Sequence, residues 1–150
     1  MKLKQMVLLT MTLAVGLAAM NCSRADEQEQ KIARGKYIVE SIGMCADCHT
    51  PRNERGDFDQ ARWLQGSQLI FGPTVPIPNW AGGAPRIAGL PRLSEADVTS
   101  LLEKGATTQG WSPRPPMPPF RMAREDAAAV AAYLKSLGNN PGEALTSQNR

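Results

Sequence analysis

The sequence predicts an all-α domain of three to four short helices joined by two long irregular loops. Three observations carry that expectation. Apolar residues recur at helical spacing in separate stretches near the front, middle and back of the chain. The segments between them are dense in Pro and Gly, which favour turns and interrupt hydrogen-bonded ladders. No stretch alternates convincingly with the two-residue period of a strand. At 150 residues, a single domain is expected.

The first element is a helix over residues 29–43, "EQKIARGKYIVESIG", in which Ile32, Gly35, Val39 and Ile42 form one inward face. Residues 51–93 resist regular structure. "DQARWLQG" (59–66) has the character of a short helix, and "FGPTVPIPNWAGGAPRIAGLPR" reads as loop. A long irregular segment inside a small domain usually has a functional reason, and wrapping a cofactor is one. Order returns at "LSEADVTSLLEKG". Ser94 stands at the N-cap with Asp97 three residues on, Val98, Leu101 and Leu102 make the apolar stripe, and Gly105 supplies the stop. "TTQGWSPRPPMPPF" is irregular again. The last helix spans 124–138, with Ala127, Val130, Ala131, Leu134 and Leu137 on one face and Gly138 at its end. Its alanines would let another helix approach closely.

The N-terminus has a different character. Lys2 and Lys4 precede an apolar run from Met6 to Met20, followed by the small residues of "SRA". This is the pattern of a secretory signal peptide, and the run falls short of the ~20 residues a membrane-spanning helix needs. The expected organisation is therefore a cleaved signal peptide over 1–25 and one domain over 26–150, with a short flexible tail after about residue 139. Cys22 follows the apolar run as a lipid-modified cysteine would. Asn21, however, stands where such signals resemble one another in carrying Gly, Ala or Ser, which argues against a lipid anchor. Cleavage after Ala25 removes Cys22 together with Lys2, Lys4 and Arg24. The 17 basic residues become 14, against 14 acidic. The mature chain is formally neutral, so no basic surface argues for nucleic acid.

The chemistry concentrates at "GMCADCHTPR". Cys45 and Cys48 are the only cysteines of the mature chain, and His49 is the only histidine. A structural zinc site takes four ligands, and no second ligand cluster completes one. A thioredoxin-like dithiol belongs in a βαβ setting, which is absent. CxxCH is also the attachment signature of covalent haem c. Two thiols separated by two residues reach both vinyl groups from one turn, and the histidine that follows presents its imidazole to the iron. Export fits, because this attachment happens outside the bacterial cytoplasm.

A second axial ligand cannot be histidine from the same chain. Methionine is the alternative that raises the potential in cytochromes c. Met44 adjoins Cys45 on the proximal side, which leaves Met117 and Met122 downstream. Met117 sits in "RPPMPPF" among prolines that stiffen its loop, as a weak thioether ligand requires. Met122 reads better as a contact beneath the last helix.

With both ligand segments in view, the chain resembles class I cytochromes c, most nearly the small haem domains that accompany bacterial periplasmic dehydrogenases. The residues that carry the resemblance are "RGKYIVESIGMCADCHTPR" and "PPMPPFRMAREDAAAVAAYLKSL", in a match covering roughly residues 30–138. It implies a class I fold around one haem c, with Cys45, Cys48, His49 and Met117 as binding residues and His49 and Met117 as iron ligands. It implies a close crossing of the first and last helices at Gly35, with Tyr37 and Tyr133 nearby. It also implies a backbone carbonyl, often a proline's, that holds the histidine Nδ1–H. Pro73 and Pro76 are the candidates. Trp63, Trp80, Trp111 and Arg86 are candidates for the haem propionates.

The expected function is periplasmic one-electron transfer rather than enzymatic catalysis. The redox partners expected are proteins: a dehydrogenase, an oxidase or another cytochrome. The competing reading is a haem-based sensor in which Met117 detaches to admit a small ligand. No Ser/His/Asp set is available once the lone histidine is engaged.

Overall fold

The computed structural model describes residues 24–138. The signal peptide expected over 1–25, apart from Arg24 and Ala25, and the tail expected after about 139 lie outside the described residues. The chain divides into two units at Lys31/Ile32, and the fold described below is that of the second.

In this unit α-helical backbone covers 32–37 (α1) and widens into a π turn at Ile38–Ile42. A one-turn helix, α2 (Cys45–His49), follows at once. Then come a single 3-10 turn at Gln60–Arg62 and a minimal antiparallel pair, β1 (Ser67–Gln68) with β2 (Gly83–Ala84), in the register Ser67 to Ala84. Helices α3 (Glu95–Lys104) and α4 (Arg124–Ser136) complete the domain. Among the described residues, no helix is long and apolar enough to cross a membrane.

The helices form where the sequence places them, for the expected reasons. Ser94 Oγ accepts from the Asp97 amide, while the Asp97 carboxylate accepts from the Ser94 amide, a complete capping box. Gly105 closes α3 in the left-handed region, φ 85°, where a Cβ would be strained. Helix α4 buries Ala127, Val130, Ala131 and Leu134 against Val98, Leu101 and Leu102 of α3 and Ile38 and Val39 of the π turn. Its alanines do admit another helix. A Cβ placed on Gly35 would lie 2.0 Å from the Ala129 carbonyl oxygen and 2.8 Å from Tyr133 Cβ, so only glycine fits the crossing.

Three expectations change. Ile42 does not continue the inward face of α1; it is exposed, and Ile38 is buried beside Val39. The π turn takes an extra residue per turn and rotates the face, so a stripe read at 3.6 residues per turn fails there. Residues 59–66 do not form a helix beyond Gln60–Arg62. Asp59 caps that turn through the Ala61 amide, and Leu64 then turns left-handed at φ 54°. Finally, β1 and β2 form a short ladder where no strand was expected.

Candidate functional site

The π turn ends at Gly43, and Met44 adopts a left-handed conformation, φ 47°. This sharp corner starts α2 directly beyond α1. One turn of helix then carries Cys45, Cys48 and His49 together, and neither thiol is in a disulfide. Burial pushes the Cys45 thiol up to about 11 and raises Cys48 as well. Both are thiols at neutral pH, the opposite of the depressed values that mark a reactive redox dithiol. Among the described residues, no group of three or more His, Cys, Asp or Glu side chains gathers to hold a metal ion.

His49 is buried, and its Nδ1–H donates to the Pro85 carbonyl at 2.7 Å. Burial lowers its pKa against the opposing pull of that hydrogen bond, so the imidazole is neutral near pH 7. With Nδ1 engaged, Nε2 keeps its lone pair, the form in which imidazole ligates a metal. The partner is Pro85, not Pro73 or Pro76, both of which are exposed. The reason lies in how the middle segment is knotted. Thr50 follows the motif, is almost wholly buried, and its Oγ1 accepts from the Leu64 amide at 3.0 Å. The Leu64 carbonyl in turn accepts from Ile87 and Ala88, and the His49 carbonyl accepts from Gly66. Those bonds bring the carbonyl of Pro85, not those of the earlier prolines, to His49 Nδ1. Thr50, Leu64 and Pro85 were missed in the sequence. The Thr directly after CxxCH was the one visible signal.

Met117 is half-buried against the core, and so is Met122. The Met117 loop reaches the proximal segment through one bond, Ala81 N–H to the Pro115 carbonyl at 2.7 Å. Residues 81–85 therefore touch both regions: Ala81 holds the methionine loop, Gly83–Ala84 pair with β1, and Pro85 holds His49.

The other aromatic and basic candidates have separate surroundings. Trp63 meets Phe58 edge-on at 5.9 Å, and its buried Nε1–H has no hydrogen-bond partner. It lies near enough to the Tyr133 hydroxyl to oppose slightly the rise in that group's pKa, which burial and Glu40 cause. Trp80 packs edge-on against Phe71, Trp111 is exposed, and Arg86 Nε donates to the Ala88 carbonyl. Tyr133 is buried in the helix crossing and donates to Glu40 at 2.6 Å, whereas Tyr37 is exposed.

A family model for cytochrome c matches residues 32–138. A diheme cytochrome c-type protein of Cereibacter sphaeroides is 36% identical over 68% of this chain. The gluconate 2-dehydrogenase cytochrome c subunit of Pantoea cypripedii is 32% identical over 76% of the chain. The cytochrome c subunit of the quinone alcohol dehydrogenase of Gluconobacter oxydans is 31% identical over 77%. The matches span 34%, 28% and 27% of those relatives' own lengths, between a quarter and about a third of each.

Proposed function

The chain belongs to the cytochrome c family and has its class I fold, and from that premise we propose that it is an exported one-electron carrier with a single haem c. Family membership implies covalently held haem, and the donor set fits it. Two unpaired thiols and a neutral imidazole occupy one helical turn. In this reading Cys45 and Cys48 would hold the group by thioethers, and His49 Nε2 and the Met117 sulfur would be its iron ligands. The haem supplies an Fe(II)/Fe(III) couple; the chain binds it, orients the imidazole and excludes water.

The observation that carries the reading is the short stretch 81–85, which ties the His49 ring and the Met117 loop to one piece of backbone. A carbonyl on Nδ1–H fixes the ring and strengthens the ligand. A proline-stiffened loop holds a weak thioether at low entropic cost. With His49 and Met117 both committed to the iron, no ligand position would be left for a substrate, which supports transfer over catalysis. The relatives named as dehydrogenase cytochrome subunits support a dehydrogenase as electron donor, with the respiratory chain as acceptor. The signal-like N-terminus supports the periplasm.

The test is a pair of variants in the matured protein. Met117→Ala should abolish the weak long-wavelength absorption band of a Met-ligated ferric haem, lower the reduction potential and admit carbon monoxide. Met122→Ala should keep the band. The reverse pattern would move the ligand to Met122. Carbon monoxide binding by the unaltered protein would favour a sensor over a carrier.

A further inference from the structure

Met117 lies in a stretch with almost no regular structure, so its placement depends on discrete tethers. Two are backbone bonds: Ala81 N–H to the Pro115 carbonyl, and Met122 N–H to the Leu102 carbonyl of α3. The third is a side-chain clasp. Residues 107–111 form a tight turn in which the Thr107 and Trp111 backbones pair, with Thr107 Oγ1 accepting from the Trp111 amide. That turn is joined to α3 by Asp97, whose Oδ1 accepts from the Thr108 amide at 3.3 Å and from the Thr108 hydroxyl. Beyond the turn, Pro113, Pro115 and Pro116 fix φ and offer no N–H. These prolines narrow the freedom with which the loop can absorb a shift of the turn.

Asp97 divides its two oxygens between two tasks. Oδ2 completes the helix cap with the Ser94 amide and hydroxyl. Oδ1 is not needed for the cap and serves Thr108 alone. We propose that Asp97 is a positioning residue for Met117: fixed by the α3 cap, it clasps Thr108 and so sets how firmly the methionine loop holds its sulfur in place. The proposal rests on the reading of Met117 as the iron ligand. The donors around the carboxylate, Thr108 foremost, hold its pKa down to about 2, so the clasp is charge-assisted at any ordinary pH.

The haem-loaded protein tests this with ferric absorption and an imidazole titration, because imidazole binds only when the methionine is off. Thr108→Val removes the hydroxyl donor at constant size and leaves the cap intact. It should weaken the long-wavelength band and tighten apparent imidazole binding about tenfold, as the open fraction rises with loss of a bond to a charged group. Thr108→Ser should restore both. Ser94→Ala removes the hydroxyl on Oδ2 but keeps the backbone amide there; it should lower the melting temperature and shift imidazole affinity far less than Thr108→Val. Wild-type band and affinity in Thr108→Val, or equal shifts in Ser94→Ala, would overturn the clasp. Met117→Ala separates the two levels of the argument. If it loses the band while Thr108→Val changes nothing, only the clasp falls. If it keeps the band, the ligand assignment falls and the clasp with it.

Discussion

Helix α4 and the loop from Ile70 to Asn79 are built on opposite plans. Between Ala127 and Leu134, seven of eight residues are buried, so side-chain packing adds to the helix's own backbone bonds. Ile70 to Asn79 are all exposed, although Ile70, Phe71, Val75 and Ile77 are large and apolar. No charged residue occurs from Leu69 to Pro85. Backbone bonds at the base of the loop, Leu69 to Gly82 and Ala81 to Pro115, hold it instead. The helices thus supply a frame stable by its own packing. The loops are shaped by backbone bonds at their ends.

Loss of haem should break that comparison most severely. In Cys45→Ala plus Cys48→Ala, amide protection should vanish across 51–93 and the thermal midpoint should collapse. Well-dispersed, protected amides across that segment would show the loops to be self-sufficient. Gly35→Val attacks the frame at its tightest point, where a Cβ would lie 2.0 Å from backbone oxygen. It should cost about 4 kcal/mol or more, the range reserved for severe core disruption, and little holoprotein should accumulate. Truncations then set the two regions side by side. Leu134→Ala should cost about 2–5 kcal/mol in denaturant melts. Ile70→Ala, with Ile70 86% exposed, should stay within about 0.5 kcal/mol. Equal costs would mean that the loop is covered in the assembled protein.

Smaller effects come from charge. The Asp97 carboxyl lies at about 2, below its ordinary 3.8, chiefly through the Thr108 and Ser94 side chains. A depressed folded-state value adds stability that is full above about pH 4 and is lost as pH falls through about 2. Asp97→Asn should therefore flatten the acid limb of the stability profile, measured by melts from pH 5 to 2. The ion pair of Arg34 with Asp126, 2.9 Å long, joins α1 to α4 on the surface. Arg34→Ala should change the melting temperature least of all, and any difference should disappear in high salt.

What could be read from the sequence follows the same division. Caps and apolar stripes were legible, because packing and capping select residue types at fixed spacing, whereas the Gly35 crossing was legible only through the family resemblance. Cys45, Cys48 and His49 were legible as a set because one helical turn brings them together. Pro85 was not, since every residue has a carbonyl and nothing in the string distinguishes the one that meets His49. The π turn was invisible for a related reason. Ile38 and Ile42 are equally apolar, and only the added backbone step decides which is buried. The clasp from Asp97 to Thr108 was half visible. The cap identified Asp97, but the second oxygen's partner lies eleven residues on, across a turn.

One haem held covalently through Cys45 and Cys48 is the cofactor we propose for this chain. The intact mass of the exported, purified protein tests it most directly. The account predicts the mature polypeptide plus one haem, with the addition absent from Cys45→Ala plus Cys48→Ala. A mature chain of unmodified mass, or one holding zinc in place of haem, would contradict it.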